Sequence, residues 1–459
     1  MKIVVCVKEV DGDLSPFDSC AVECGLELSD DVTVVTMGRP SANDVLLRLT
    51  RLGAKAILLS DSALAGADTL ATSYALSLLV KQLDPDLVIC GRQSIDGDTA
   101  QTGPALATAL GFSLATNVMS FESVDNGIKC DTRLGHEFAA FPALITVERI
   151  RQLRFPKIRS KLGEVVKMSA TDIGADISKC GLKGSPTRVR KTFESTVGRR
   201  KCKFIQMSEL RDVIAEARLK TKNESAAAEC ADKLKDEVWC IGEDVAEIAR
   251  SIAENVIVID RKEPAEIAAL AKAKQPRFIL WPADLWGRKN APVVQAMLGT
   301  GLCADCTALE TDGNDLFMYR PAFGGTLTAK IKCLTTPVMA TVRTTDENAC
   351  DLLVGCGKGV RDCLDEVHAF ADELGGEYAA SRGLVDCGLA PYSQQVGLTG
   401  KTICCSVYVA VGISGAVHHT CALDRVGTVI AINPDKDARI FEYADYGIVS
   451  EFDPSELAH

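Results

Sequence analysis

The sequence predicts an α/β fold: two homologous, doubly wound α/β domains followed by a third α/β unit. Three observations carry this. Short β-branched runs alternate with helical patterns over residues 1–150, which points to a parallel sheet. The pattern then recurs, with Pro142-Ala-Leu-Ile-Thr-Val-Glu-Arg149 answered by Pro337-Val-Met-Ala-Thr-Val-Arg343, 195 positions on. Near the end, a glycine turn joins two apolar runs, 407–411 and 429–432. A length of 459 residues agrees, at roughly 150 per domain.

In chain order, residues 3–7, 32–37, 56–60 and 87–90 read as strands, and 17–28, 42–52 and 68–83 as helices. Asp86-Leu-Val-Ile-Cys-Gly-Arg92 leads to a helix, then Leu110-Gly111 and Ala115-Thr116. Arg277-Phe-Ile-Leu-Trp281 leads through Gly287-Arg288 to a helix, then Leu298-Gly299 and Ala304-Asp305. A copy of this length lies far above solenoid periods, so the repeat is a domain duplication or a subunit fusion. Residues 207–218 read as one amphipathic helix, and 220–229, rich in Ser, Ala, Asn and charge, as a linker. After Arg343, 352–354 is a weak strand, 364–374 a helix, and 402–411 and 428–432 strands. The expected domains are 1–203 with an extended basic arm, 204–234 as helical arm and linker, 235–345, and 346–459.

Composition narrows the function. The net charge of −11 disfavours nucleic acid as a partner, and five His leave little room for a His-rich metal site. The longest apolar stretch, 407–417, has 11 residues including glycines, short of the roughly 20 a spanning helix needs, so no membrane insertion is expected. The apolar run in Met1–Val10 is too short for a signal-peptide core and reads as a buried strand. Nineteen Cys scattered singly suggest a reducing cytoplasm rather than a disulfide framework. Residues 149–203 carry net +12, either a solvated face or a surface that steers an acidic protein partner.

Two turns could carry chemistry. In Val407-Tyr-Val-Ala-Val-Gly-Ile-Ser-Gly-Ala-Val-His-His419 a buried strand runs into Gly412, Ser414 and Gly415, then a helix. Glycines at such a turn let backbone amides approach an anion, though an ordinary tight turn has the same residues. Gly91-Arg-Gln-Ser-Ile-Asp-Gly-Asp-Thr-Ala-Gln-Thr-Gly103 opens another helix with small and hydroxyl residues, and a structural turn is as good a reading as a site. Its aspartates suit helix capping or sugar hydroxyls better than phosphate. Cys303-Ala-Asp-Cys306 has metal-like spacing but no second pair at zinc-finger distance, so no metal is expected.

Taken together, the sequence resembles electron transfer flavoprotein, with the beta-like part first and the alpha-like part after it in one chain. The beta-like pieces are Met1-Lys-Ile-Val-Val-Cys-Val-Lys8, Pro16-Phe17-Asp18, 91–104 and Gly184-Ser-Pro-Thr187. The alpha-like pieces are Leu298-Gly-Thr-Gly301 through Cys306, Arg320-Pro-Ala-Phe-Gly-Gly325, Ala380-Ser-Arg382, Gln395-Val-Gly-Leu-Thr-Gly400, 407–419 and Ala444-Asp-Tyr-Gly447. The resemblance implies that the C-terminal domain is Rossmann-like and binds FAD. Its lining would be Lys358, Ser381, Arg382, Val396, Gly397, Leu398, Thr399, Ser414, Gly415, Ala416, Val417, His418, His419, Asn433, Asp445 and Tyr446. Arg382 would lie against the isoalloxazine, Thr399 near N5 and His419 near O2, these three tuning the flavin. Asn433 and Asp445 would hold the adenosine end.

A second nucleotide would sit in the beta-like part, on Cys6, Pro16, Phe17, Asp18, Met37, Gly91, Asp96, Thr99, Ala100, Gln101 and Thr102. Ordinary members keep AMP there and electron-bifurcating members a second FAD reducible by NADH. The 96–101 and 320–325 motifs look like the bifurcating version. The implied role is electron carriage between a dehydrogenase, or NADH, and another redox protein, with an acyl-CoA dehydrogenase, a ferredoxin or a quinone reductase as partner classes. Departures stand beside this. The usual loop between Val10 and Pro16 is nearly absent, 344–350 replaces a longer crossing so that a strand is expected to be lost, and the acidic cluster after Arg133 is thinned to Glu137. Lys358 and His418 replace an Arg and a Gln. These departures leave open a non-redox nucleotide-binding protein on a degenerated flavoprotein frame.

Overall fold

The computed structural model describes all residues except 195–198, 222–231, 324–326, 344–349, 392–393, 398–402, 424–425 and 458–459, and only the backbone of Glu194, Lys220, Thr221 and His418. It divides into two compact units: residues 1–192 with 229–323 and 329–344, and residues 193–228 with 324–328 and 345–459.

The first unit holds the duplicated fold. One sheet of nine strands runs in the order Val165–Met168, Lys55–Leu59, Val32–Met37, Ile3–Cys6, Leu87–Gly91, Ala143–Val147, Ser113–Val124, Gly127–Thr132, Gly135–Ala140. The first seven pair in parallel and the last two close an antiparallel meander. The second sheet has five parallel strands, in the order Val256–Ile259, Val238–Ile241, Phe278–Pro282, Val338–Val342, Leu302–Cys306. The near-continuous burial of their central strands is what a sheet covered on both faces requires.

The duplication reaches the finest backbone detail. Helices Thr102–Leu110 and Leu285–Leu298 both end on a left-handed glycine, Gly111 and Gly299. Asn117 (φ 56°) and Asp305 (φ 58°) occupy the same left-handed kink, each at a register shift against the neighbouring strand. Each kink is held alike: Asn117 N donates to Thr146 Oγ1 (3.1 Å) and Asp305 N to Thr341 Oγ1 (2.8 Å). The conserved spelling Pro-x-x-x-Thr-Val within the chain thus marks a hydroxyl that satisfies a kinked amide.

The second unit is one sheet of seven strands, all parallel where paired, in the order Lys203–Phe204, Tyr446–Ile448, Thr428–Ile432, Cys405–Val411, Cys350–Cys356, Glu377–Ser381, Gln395–Val396. The segment expected as a weak strand at 352–354 is a central, seven-residue strand. The helix expected after the glycine turn is only Val417–Thr420. The linker expected at 220–229 falls almost wholly outside the described residues, and so do Leu398 and Thr399.

Candidate functional site

In an open parallel sheet, ligands bind beyond the carboxyl ends of the strands where the strand order reverses. In the second unit the order reverses between Cys350–Cys356 and Cys405–Val411. The two loops leaving these strands cross at contact distance. A Cβ on Gly357 would lie 2.0 Å from Gly412 O, and one on Gly412, whose φ is +64°, 2.9 Å from Val360 N. Gly357 N donates to Val411 O (2.8 Å) and Gly359 N to Gly412 O (3.2 Å). Only glycines allow this crossing, which leaves Ser414 and Ala416 exposed at the mouth.

Around that crossing the structure gathers most of the expected residues. Lys358, exposed, lays its side chain along Gly383, where an added Cβ would sit 3.0 Å from Cε. Ser381 ends a strand and pairs with Val396, Arg382 follows, and Gly397 turns away at φ 132°. Arg382 Nε donates to Asp386 Oδ2 at 3.2 Å, one helical turn on. Asn433 ends the neighbouring strand, donating through Nδ2 to Ile413 O (3.0 Å) and accepting from Asp435 N (2.9 Å), so it braces the glycine turn. His419 is 6% exposed, and burial drives its pKa down to about 4, opposed only in part by the nearby Val396 main chain. Its Nε2 lies 2.8 Å from Tyr408 Oη. Its Nδ1 is a buried polar atom without a hydrogen bond among the described residues. A cofactor bearing a carbonyl, an anionic diphosphate and a reducible ring fits this set: a spare buried donor, a glycine cradle, and two cations, Lys358 and Arg382, at its edge.

Two expected residues are not brought here. Asp445 and Tyr446 lie where their strand begins, away from the carboxyl ends, since Asp445 N donates to Val429 O, near the start of the neighbouring strand, and Tyr446 pairs with Ile430 at its middle. Asp445 is engaged there, accepting from Val429 N (2.8 Å) and from Arg200. The carboxyl end of that strand instead presents residues 449–452 beside Asn433, whose N donates to Ile448 O (3.1 Å), and Ser450 Oγ is buried there with no hydrogen-bond partner among the described residues. The parallel direction of the strand was the available signal.

The first unit reverses its strand order between Ile3–Cys6 and Leu87–Gly91, placing Cys6 opposite Cys90. Pro16 opens a helix whose first turn sits on Gly91: a Cβ there would lie 2.3 Å from Asp18 Oδ1 and 2.7 Å from Phe17. Asp18 accepts from Lys8 N (2.8 Å), yet burial carries its pKa up to about 7. Lys8 Nζ pairs with Asp96 Oδ2 at 2.6 Å. Burial pushes Asp96 up, but Lys8, Ser94 and Gly97 outweigh it and hold the carboxyl below its ordinary range. Ala100 is left-handed, Gln101 is spent on Thr69 and Leu302, and Thr102 opens the next helix. Met37 ends the adjacent strand. Largely buried arginines absent from the expected set lie next to these segments: Arg320 donates to Gly97 O (2.6 Å), and Arg92, which follows Gly91, and Arg133 meet Glu148 at 3.3 and 2.9 Å.

The duplicate sheet has an equivalent switch point, between Val238–Ile241 and Phe278–Pro282, and an arginine of the chain itself lies across it. Arg261 stands over Gly242, pairs with Asp284 (2.7 Å) and Asp244, and lies 5.2 Å from the centre of the Trp286 ring. The ten-residue loop of the first copy, 92–101, is missing, because Leu285 opens its helix two residues after Ala283. Cys303 and Cys306 are buried core thiols; among the described residues no group of three or more His, Cys, Asp or Glu could hold a metal. Among them, too, no helix is long and apolar enough to cross a membrane.

Comparison with known proteins agrees with this architecture. The family model described as electron transfer flavoprotein domain matches residues 3–172 and 222–352, which together are more than half the chain. The one described as electron transfer flavoprotein FAD-binding domain matches residues 348–424. The chain belongs to the electron transfer flavoprotein family and carries its FAD-binding domain. It is 38% identical to an electron transfer flavoprotein subunit alpha of Thermoanaerobacterium thermosaccharolyticum, over 40% of this chain and 70% of that protein. It is 38% identical to a protein FixA of Azorhizobium caulinodans, over 46% of this chain and 90% of that protein. It is 36% identical to an electron transfer flavoprotein subunit beta of Megasphaera elsdenii, over 42% and 87% respectively.

Proposed function

We propose that this chain fuses a beta-like and an alpha-like half into one soluble, cytoplasmic electron carrier, taking electrons from a dehydrogenase or NADH and passing them to another redox protein. FAD, bound at the crossed glycine loops of the second unit, supplies one- and two-electron chemistry. The observation that carries the reading is the site's donor set: Lys358 and Arg382 at the edge, His419 with an unused buried nitrogen, and Asn433 bracing the turn. A cation beside a ring that gains electrons favours the reduced form in a low-dielectric cleft. Arg382 has this role, and Thr399 is proposed as its companion from the sequence resemblance alone.

The first unit's crevice, from Cys6 to Thr102, takes a second nucleotide, FAD rather than AMP. Support comes from Arg320, whose guanidinium donates to Gly97 O within the 96–99 turn and so brings a cation beside the segment expected to hold the nucleotide. The partner is a redox protein with an acidic docking face. On residues 149–168 Phe155 (89% exposed) and Ile158 (97%) stand among Arg151, Arg154, Lys157, Arg159 and Lys161, an apolar anchor within a positive field. The deciding experiment denatures the purified protein and quantifies FAD and AMP per chain. Two FAD support bifurcation, one of each supports simple carriage, and no flavin after reconstitution rejects the reading. Arg382→Ala is expected to lower the flavin potential, and an unchanged redox titration removes that role.

A further inference from the structure

Tyr408 occupies the middle of strand Cys405–Val411 with none of its surface exposed. Its ring leans across the next strand at Gly355, where a Cβ would lie 1.9 Å from the hydroxyl and 2.5 Å from Cζ. The hydroxyl reaches His419 Nε2 at 2.8 Å, with the two rings 6.0 Å apart. Burial raises the phenol's pKa well above its ordinary value and lowers that of the imidazole to about 4, so at neutral pH two uncharged groups meet.

A neutral imidazole carries one proton, and the question is on which nitrogen. If it were on Nε2, it would point at the phenol oxygen. The phenol's own proton would then need another acceptor, and His419 is the partner found for that hydroxyl among the described residues. Nδ1 would also keep an unused lone pair. With the proton on Nδ1, the phenol donates to Nε2 and a single group, Nδ1–H, stays open. The nearby Val396 main chain favours a proton on the ring yet makes no regular hydrogen bond with Nδ1. Fewer orphaned buried groups decides for the second arrangement.

We propose that Tyr408 is a positioning residue: by donating to His419 Nε2 it fixes the ring's proton on Nδ1, so that the site offers a neutral N–H donor to an oxygen acceptor of the bound cofactor. Gly355 is part of the device, because it makes the room in which the phenol lies. The tautomer stands on the chain's own contacts; only its use by a flavin oxygen rests on the FAD reading.

The test uses the full chain with 15N-labelled histidine, as purified and after loading with FAD, and reads the His419 nitrogens by long-range proton–nitrogen correlation. His419→Gln assigns the signals among the five histidines. The expected result in the unaltered protein is one neutral tautomer with Nδ1 protonated. Tyr408→Phe should move the proton to Nε2 or average the two. Gly355→Ala, which displaces the hydroxyl without altering either ring, should do the same. Nε2 protonation in the unaltered chain, or a Tyr408→Phe spectrum still showing Nδ1–H, overturns the proposal, and the first holds even if the variants fail to fold. In loaded protein, Tyr408→Phe should keep its FAD but lower its midpoint potential; an unshifted potential overturns the cofactor-directed half. A chain that takes up no FAD at all counts against the proposed function and leaves the tautomer result standing.

Discussion

Gly357→Ala tests the crossed loops directly. The added Cβ would sit 2.0 Å from Gly412 O, 2.4 Å from Gly412 C and 2.8 Å from Ile413 N. All three are main-chain atoms, so none can rotate aside. Ordinary contact begins near 3.4 Å, and the loops must part by about 1.4 Å, the difference from 2.0 Å. The bonds Gly357 N to Val411 O and Gly359 N to Gly412 O would stretch with them. Overpacking costs about 1–3 kcal/mol and each of the two weakened backbone bonds about 1 kcal/mol, giving roughly 3–5 kcal/mol in all. If about 2 kcal/mol of that falls on the loops' ability to hold FAD, Kd rises about 30-fold. The assay is a fluorescence titration of deflavinated protein with FAD. The control is Gly375→Ala in the same sheet unit, where φ is +63° and a Cβ meets nothing within 4 Å. It should lower the Tm by the strain of a left-handed alanine yet leave Kd alone. A Gly357→Ala protein binding FAD within threefold of the unaltered chain, or a control that loses as much affinity, would refute the role given to the crossing.

Three more outcomes are expected. Asp305→Asn removes the buried charge that Arg288 and Arg343 now meet at 2.7 and 2.8 Å, so denaturant melts should show a loss of about 3–5 kcal/mol. Burial raises the Asp305 pKa, but Arg288 and Arg343 hold it well below the ordinary range, and its stabilisation persists above the unfolded value of about 4 and fades only in stronger acid. Asp18 behaves oppositely. Its raised pKa of about 7 means stability present below the unfolded value and lost as pH rises through 7, about 4 kcal/mol for some three units. Asp18→Asn should flatten urea midpoints between pH 4.5 and 8, and an unchanged slope would exclude Asp18 as the source. Finally, extraction should yield two nucleotides per chain and never three, because Arg261, paired with Asp284 and lying over Trp286, crosses the third switch point; a third nucleotide would disprove that obstruction.

Much of the fold was legible because strand and helix periods differ and because the chain repeats itself. The strands of the first copy fall within a residue or two of their expected bounds, since their apolar runs are buried on both faces. Where the reading weakened, a tertiary contact was the reason. Asp351 and Gly355 break the apolar run of Cys350–Cys356, yet that strand is central, because Gly355 is the space into which the Tyr408 ring leans. Tyr408 itself read as one more core residue in an apolar strand. The helix after Gly415 stops at four residues, as the β-branched Val417 and Thr420 and the paired histidines offer little helix propensity. The C-terminal crevice was legible in its glycines and its basic residues, but Asp445 was placed at the wrong end of its strand, which a list of residues cannot reveal without the strand's direction. Arg261 was invisible for a similar reason: its partners Asp244 and Asp284 come from two other loops.

The polypeptide that leaves the first half does not merely connect. Lys203–Phe204 forms the outermost strand of the C-terminal sheet, Phe204 packs edge-on to Phe441 at 5.3 Å, and Ile205, Met207, Leu210 and Ile214 share one core with Leu352, Val354 and Val407. Arg200 fastens the entry by donating to Asp445, Val426 O and Gly427 O. A truncated protein beginning at 346 would therefore lack both a border strand and a covering helix, exposing an unpaired backbone edge that invites aggregation. Supplied in trans, a peptide spanning 199–221 would be the missing piece, so recombinant expression of the flavin domain calls for a graft of these residues rather than a simple cut at residue 346.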